Sequence, residues 1–79
     1  MIRNQQSNDL ASLCIDSAAE IKEIGKRLVQ AEEKFLKSLN GVTPTATEFS
    51  AMVDIHHSLD LIKILTDTLE NAASDLHKD

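Results

Sequence analysis

The chain has 79 residues, a formal charge of −5 and a pI near 5.0, which leave room for one domain and argue against a phosphate-backbone binder with clustered Lys and Arg. An apolar fraction of 42% is too high for a disordered chain, and two phenylalanines with no Trp or Tyr point to an aliphatic core of the helix-bundle kind. Cys14 is the single cysteine, so no internal disulfide can staple the fold, and a lone thiol fits a reducing, cytoplasmic setting.

The opening MIRNQQSNDL carries one arginine and no apolar stretch of the secretory kind, so residues 1–7 are expected to be a flexible N-terminus. A single hairpin domain is expected over 8–79. Charges interrupt every apolar run well short of the roughly 18 residues that a membrane span needs.

Helix one is predicted over about 8–40. Ser7 or Asn8 could cap it, with Asp9 in the first turn favoured by the helix dipole. Cys14, Ile21, Leu28 and Phe35 recur every seven positions, and Leu10, Ser17, Ile24, Ala31 and Ser38 interleave to complete a heptad seam. Gly25 lies inside this run and marks a place where another helix passes close by. Asn40-Gly41 should end the helix, the glycine taking the left-handed cap.

A turn over 40–44 follows, and helix two is predicted over about 45–77. Pro44 suits a first helical position, where its missing N–H costs nothing. Thr45-Ala46-Thr47-Glu48 matches a capping box. Met52, Ile55, Leu59, Ile62, Thr66, Leu69, Ala73 and Leu76 then step by three and four, a stripe that runs almost to the C-terminus. A few non-helical residues between two such helices make them antiparallel neighbours. The expected fold is therefore all-α: an antiparallel two-helix hairpin, completed to a bundle by a homodimer or by a partner protein.

The argument for a partner is a surplus of apolar surface. On helix one Ile15, Val29 and Leu36 widen the stripe beyond a narrow seam; on helix two Leu61, Ile64, Leu65 and Ala72 form a second ridge. Phe49 and Met52 add an adaptable patch at the start of helix two. Residues Phe49, Met52, Leu61, Ile64, Leu65, Ile15, Val29 and Leu36 are the expected partner-binding set. At the N-terminus only Met1 and Ile2 could fold back over it, too little cover.

Helix one is nearly balanced, with six acids against five bases over 8–40. Helix two has seven acids against two bases over 45–79, so the pair can lie side by side without strong repulsion. The acidic outer face reads as a solvated one.

Candidate chemistry is sparse. His56 and His57 are adjacent and point about 100° apart on a helix, so they cannot share a metal; pairing with Asp54 and Asp60 within the helix accounts for them. Cys14 reads as a buried small hydrophobe, with no base nearby to activate it. There is no Gly-rich phosphate loop, nucleophile elbow or zinc-ligand spacing. An enzyme is not expected, nor a cofactor, metal, nucleic acid, membrane or small-molecule substrate.

LVQAEEKFLKSLNG followed by TPTATEFSAMVDIHHSLDLIKIL resembles the small YscE/PscE/SsaE-like proteins of type III secretion systems. The likeness covers roughly residues 21–70. It lies in a charged first helix ending at a short Asn/Gly turn, an aromatic early in helix two (Phe49), and then the acid-flanked aliphatic run Leu59-Asp60 and Ile62 to Leu65. The resemblance implies a cytoplasmic co-chaperone that, with a larger tetratricopeptide-like chaperone, keeps the needle subunit soluble, docking through the helix-two surface. The residues alone leave three readings open: a homodimeric adaptor or regulator, such a co-chaperone, and a small inhibitor of another protein.

Overall fold

The computed structural model describes residues 2–78, and the side chains of residues 5–78. Two helices account for nearly all of it: α1 over Ile2–Ser38 and α2 over Ala46–Lys78. They pack antiparallel along their whole length into a rod of 61 × 16 × 14 Å. The predicted all-α hairpin is the fold observed.

α1 begins six residues earlier than predicted. Ser7 and Asn8 therefore sit inside the helix rather than capping it, and Gln5 Nε2 donates to Asp9 Oδ1 at 3.0 Å, an i,i+4 bond that bridges the first turns. No Pro or Gly interrupts residues 2–8, and Ser and Asn cost only tenths of a kcal/mol in a helix, so nothing local stops it. Met1 and the Ile2 side chain, named above as a possible fold-back, lie outside the described residues.

The turn is built as the sequence predicts, with one shift. Asn40 (φ 49°) and Gly41 (φ 84°) both take the left-handed conformation, which Asn and Gly tolerate best, and Val42 N–H closes the turn onto Leu39 C=O at 2.9 Å. The capping box is reciprocal: Thr45 N–H donates to Glu48 Oε1 at 2.9 Å and Glu48 N–H to Thr45 Oγ1 at 3.1 Å. Thr45 is consequently the cap, and Pro44 precedes it instead of opening the helix. A cap residue has non-helical backbone, so the helix cannot include a residue before it.

The α2 seam runs as predicted: Met52, Ile55, Leu59, Ile62, Leu69 and Leu76 are half-buried, and Thr66 and Ala73 are buried. Thr66 Oγ1 donates to Lys63 C=O at 2.9 Å, which satisfies its hydroxyl. On α1 one predicted row holds, with Cys14, Ile21, Leu28 and Phe35 half-buried. The second row is corrected by one residue. Ala11, Ala18, Gly25 and Glu32 face α2, whereas Leu10 and Ile24, which were expected there, are each 50% exposed.

The reason is space. A row of small residues on α1 leaves room for the large side chains of α2 to pack over it, which a row of Leu and Ile would not. A Cβ added at Gly25 would stand 3.5 Å from Ile62 Cγ2 and 3.8 Å from Leu59 Cδ2, so Gly25 does mark a close approach. Those are ordinary contact distances. Gly25→Ala is therefore expected to stabilise the hairpin by about 0.5–1 kcal/mol, through helix propensity and a less free unfolded chain, read as a rise in melting temperature.

The Gly25–Leu59 approach also sets the register. Seven residues up one helix and seven down the other bring Ala18 level with Thr66, and another seven bring Ala11 level with Ala73. These four are buried to 3% exposure or less.

Candidate interaction surface

The small row lies at the centre of the helix contact, so each helix has one flank on either side of it. At 100° per residue, the positions just before the small row form one flank, and the positions just after the Cys14–Phe35 row form the other. In an antiparallel pair, equivalent flanks of the two helices share an edge of the rod.

One edge is polar at its middle. Lys22 Nζ meets Glu70 Oε2 at 2.9 Å, an exposed pair worth about 0–1 kcal/mol. His56 reaches across to α1 instead of pairing with Asp60 within its own helix. Its Nε2 lies 3.0 Å from both Glu32 carboxylate oxygens, and only the approach to Oε1 has hydrogen-bonding geometry. Oε2 is buried without a partner in hydrogen-bonding position. The Oε1 bond is the contact, because distance without alignment does not make a hydrogen bond. A carboxylate only accepts, so the contact selects the form of His56 with a proton on Nε2. Lys63 lies on this edge as well.

Among the described residues, the opposite edge carries no ionisable residue on either flank from Leu10 to Ser38 of α1 and from Ala51 to Ala72 of α2. α1 contributes Leu10, Ser17, Ile24, Ala31 and Ser38; α2 contributes Ala51, Ser58, Leu65 and Ala72. The half-buried large side chains of the seam, among them Ile21, Leu28, Phe35, Ile55, Ile62 and Leu69, border this edge and are left incompletely covered. Toward the turn the edge opens into a hollow of about 190 Å³ between Ala31 and Ala51, floored by Phe35, Met52 and Ile55. Glu32 and Glu48 border it, with carboxylates engaged by His56 and by Thr45 N–H.

The eight residues expected to bind a partner do not share one face. Leu65 is on the uncharged edge. Leu61 (66% exposed) and Ile64 (62%) point outward from α2, away from the seam. Ile15, Val29, Leu36 and Phe49 lie on the polar edge, the last three near the turn, and all four are exposed. Met52 is half-buried in the seam and belongs to the floor of the hollow.

Sequence reasoning missed Leu10 and Ile24 as surface residues because it placed them in the seam; the seven-residue recurrence of Ala11, Ala18 and Gly25 was the available signal. Glu32 was missed because a carboxylate contradicts an apolar seam pattern.

Among the described residues, no group of three or more His, Cys, Asp or Glu side chains could hold a metal ion, and no helix is long and apolar enough to cross a membrane. Cys14 is free and half-buried. No family model matches the chain, and no curated protein or solved structure matches it.

Proposed function

We propose that this chain is a non-enzymatic protein–protein interaction module, a small cytoplasmic helical-hairpin adaptor or regulator that works as a homodimer. One observation carries the reading. Among the described residues the buried hydrophobic side chains are three alanines, while twelve large apolar side chains, from Leu10 to Leu65, are exposed. A compact monomer of 8.7 kDa exposes about 4,700 Å². This rod exposes 6192 Å².

A core of alanines stabilises little, since hydrophobic burial scales with the apolar area removed from water at about 25 cal/mol per Å². Association is the way such a chain gains buried area without disulfides or metal.

The test is size-exclusion chromatography with light scattering at two concentrations, joined to thermal melting at the same concentrations. The expected result is a mass twice the 8.7 kDa of the chain, with a melting temperature that rises with concentration. A monomer at both concentrations, with one unchanging melting temperature, overturns the homodimer.

A second reading is favoured by Leu61 and Ile64, which stand on the outer face of α2 and away from both edges. This is the helix whose surface the resemblance to YscE-like co-chaperones implicates in chaperone docking. Under that reading the purified chain is monomeric, and it co-purifies with a larger helical-repeat protein encoded beside it.

A further inference from the structure

We infer that the uncharged edge is the self-association surface: a second copy of this chain packs there antiparallel, closing a four-helix bundle in which Leu10 of each copy sits over Ala31 at the hollow of the other. The inference rests on the homodimer reading above and adds the face and the register.

Charge selects the occupant. Each copy carries a net −5, and its α2 has six acids against two bases, so two copies repel wherever acidic faces meet. Along the edge that carries Leu10, Ile24 and Leu65, neither helix presents a charge on its flank among the described residues, so two acidic rods can meet there without like-charge contact. A basic partner would find no acid on these flanks to pair with.

Area and shape agree with a dimer. From Leu10 to Ser38 the edge is about 42 Å long at 1.5 Å per residue. With a rod 14–16 Å thick, two such faces bury about 1,300 Å² in total, inside the usual 1,200–2,000 Å² for a specific interface. The contact is isologous, because a two-fold axis lying in the interface pairs the same edge of both copies.

Full overlap of the rods puts the two-fold axis near the level of Ile62, midway along both helices. The axis crosses the rods, so rotation about it lays α1 over α1 of the other copy and α2 over α2: Leu10 of one copy comes to the level of Ala31 in the other, while Ile24 and Leu65 each meet their own counterparts near the axis. A large side chain then meets a hollow at each end, and pairs of large ones meet at the middle. The half-buried Ile21, Phe35, Ile55 and Ile62 gain the cover that the hairpin alone does not give them.

Cross-linking tests the register directly. In a Cys14→Ser background, Leu10→Cys and Ala31→Cys chains are mixed and gently oxidised. Along α1 these two positions are about 32 Å apart, at 1.5 Å per residue, so a mixed disulfide between them forms only between copies. The expected products are a Leu10–Ala31 linked dimer from the mixture, and no linked dimer from the Leu10→Cys chain by itself. Self-linking through Leu10 and no mixed product would overturn the inference, as would the absence of any link.

Light scattering of variants tests the face. Ile24→Glu and Leu65→Glu are expected to shift the dimer to monomer at concentrations where the parent chain is fully dimeric. Val29→Glu on the polar edge and Ile64→Glu on the outer face should leave it dimeric. A parent dimer that survives Ile24→Glu and Leu65→Glu but dissociates with Val29→Glu keeps the homodimer and moves it to the other edge. A parent chain that is monomeric throughout removes both readings.

Discussion

Leu59→Asp will abolish the folded hairpin at 25 °C, read as loss of the helical circular-dichroism signal at the concentration where the parent chain is folded. Leu59 is half-buried at the seam, with Cδ2 3.8 Å from where a Gly25 Cβ would stand. Aspartate there gives up about 1.5–3 kcal/mol of side-chain burial and puts a carboxylate against apolar neighbours. The total cost is about 3–5 kcal/mol, comparable with everything a core in a chain of this length supplies.

The comparison that isolates the cause is Leu61→Asp. It makes the same chemical change two residues away on the same helix, but at a side chain 66% exposed. Its expected cost is within about 0.5 kcal/mol, so the helical signal stays. Leu59→Met, which conserves volume, should cost less than about 1.5 kcal/mol. A Leu59→Asp chain that melts within a few degrees of the parent would mean that α2 presents a different face to α1 than the one described.

The contrast between Leu59 and Leu61 also marks how far the fold could be read from residues alone. On α2 the large aliphatic side chains and the buried positions coincide, so the stripe from Met52 to Leu76 needed only counting by three and four. The capping box was legible for a different reason: both of its hydrogen bonds are made within four residues, and packing has no part in them. On α1 two candidate rows stand one residue apart, Leu10 and Ile24 in one, Ala11, Ala18 and Gly25 in the other. Transfer free energy favours burying the first row, and room for the large side chains of α2 favours burying the second. Residue hydrophobicity measures only the first of these effects.

The candidate surface inherits that ambiguity. Leu65 was found in the sequence as a surplus residue on α2, but its companions Leu10 and Ile24 were assigned to the interior, so the edge they form could not be assembled. Glu32 and His56 are 24 positions apart, and their contact depends on the register of two helices, which no local pattern encodes. The start of α1 was equally illegible. Between residues 2 and 8 the competing preferences differ by only tenths of a kcal/mol.

Ala18→Leu will destabilise the hairpin by at least the 1–3 kcal/mol that overpacking usually costs. Ala18 is 2% exposed, lies level with Thr66 at 3%, and belongs to the row that sets the distance between the two helices. Leucine adds three carbons at a buried place level with the buried Thr66, whose β-branched side chain has few rotamers to escape into. The helices must separate, and separation loosens the neighbouring contacts at Ala11, Gly25 and Ala73 together. The exposed neighbour Ala19 provides the control: Ala19→Leu makes the same change outside the seam and should stay within about 0.5 kcal/mol of the parent. Adding Thr66→Ala to Ala18→Leu removes bulk directly opposite and should recover part of the loss, a coupling above about 0.5 kcal/mol in a double-mutant cycle. Equal destabilisation with and without Thr66→Ala would mean that Ala18 and Thr66 are not level, and the register drawn from Gly25 would be wrong. The same separation carries the Leu10–Ile24 row away from Leu65, so a seam of small residues determines both how closely one hairpin packs and whether its uncharged edge stays narrow enough to match a second copy.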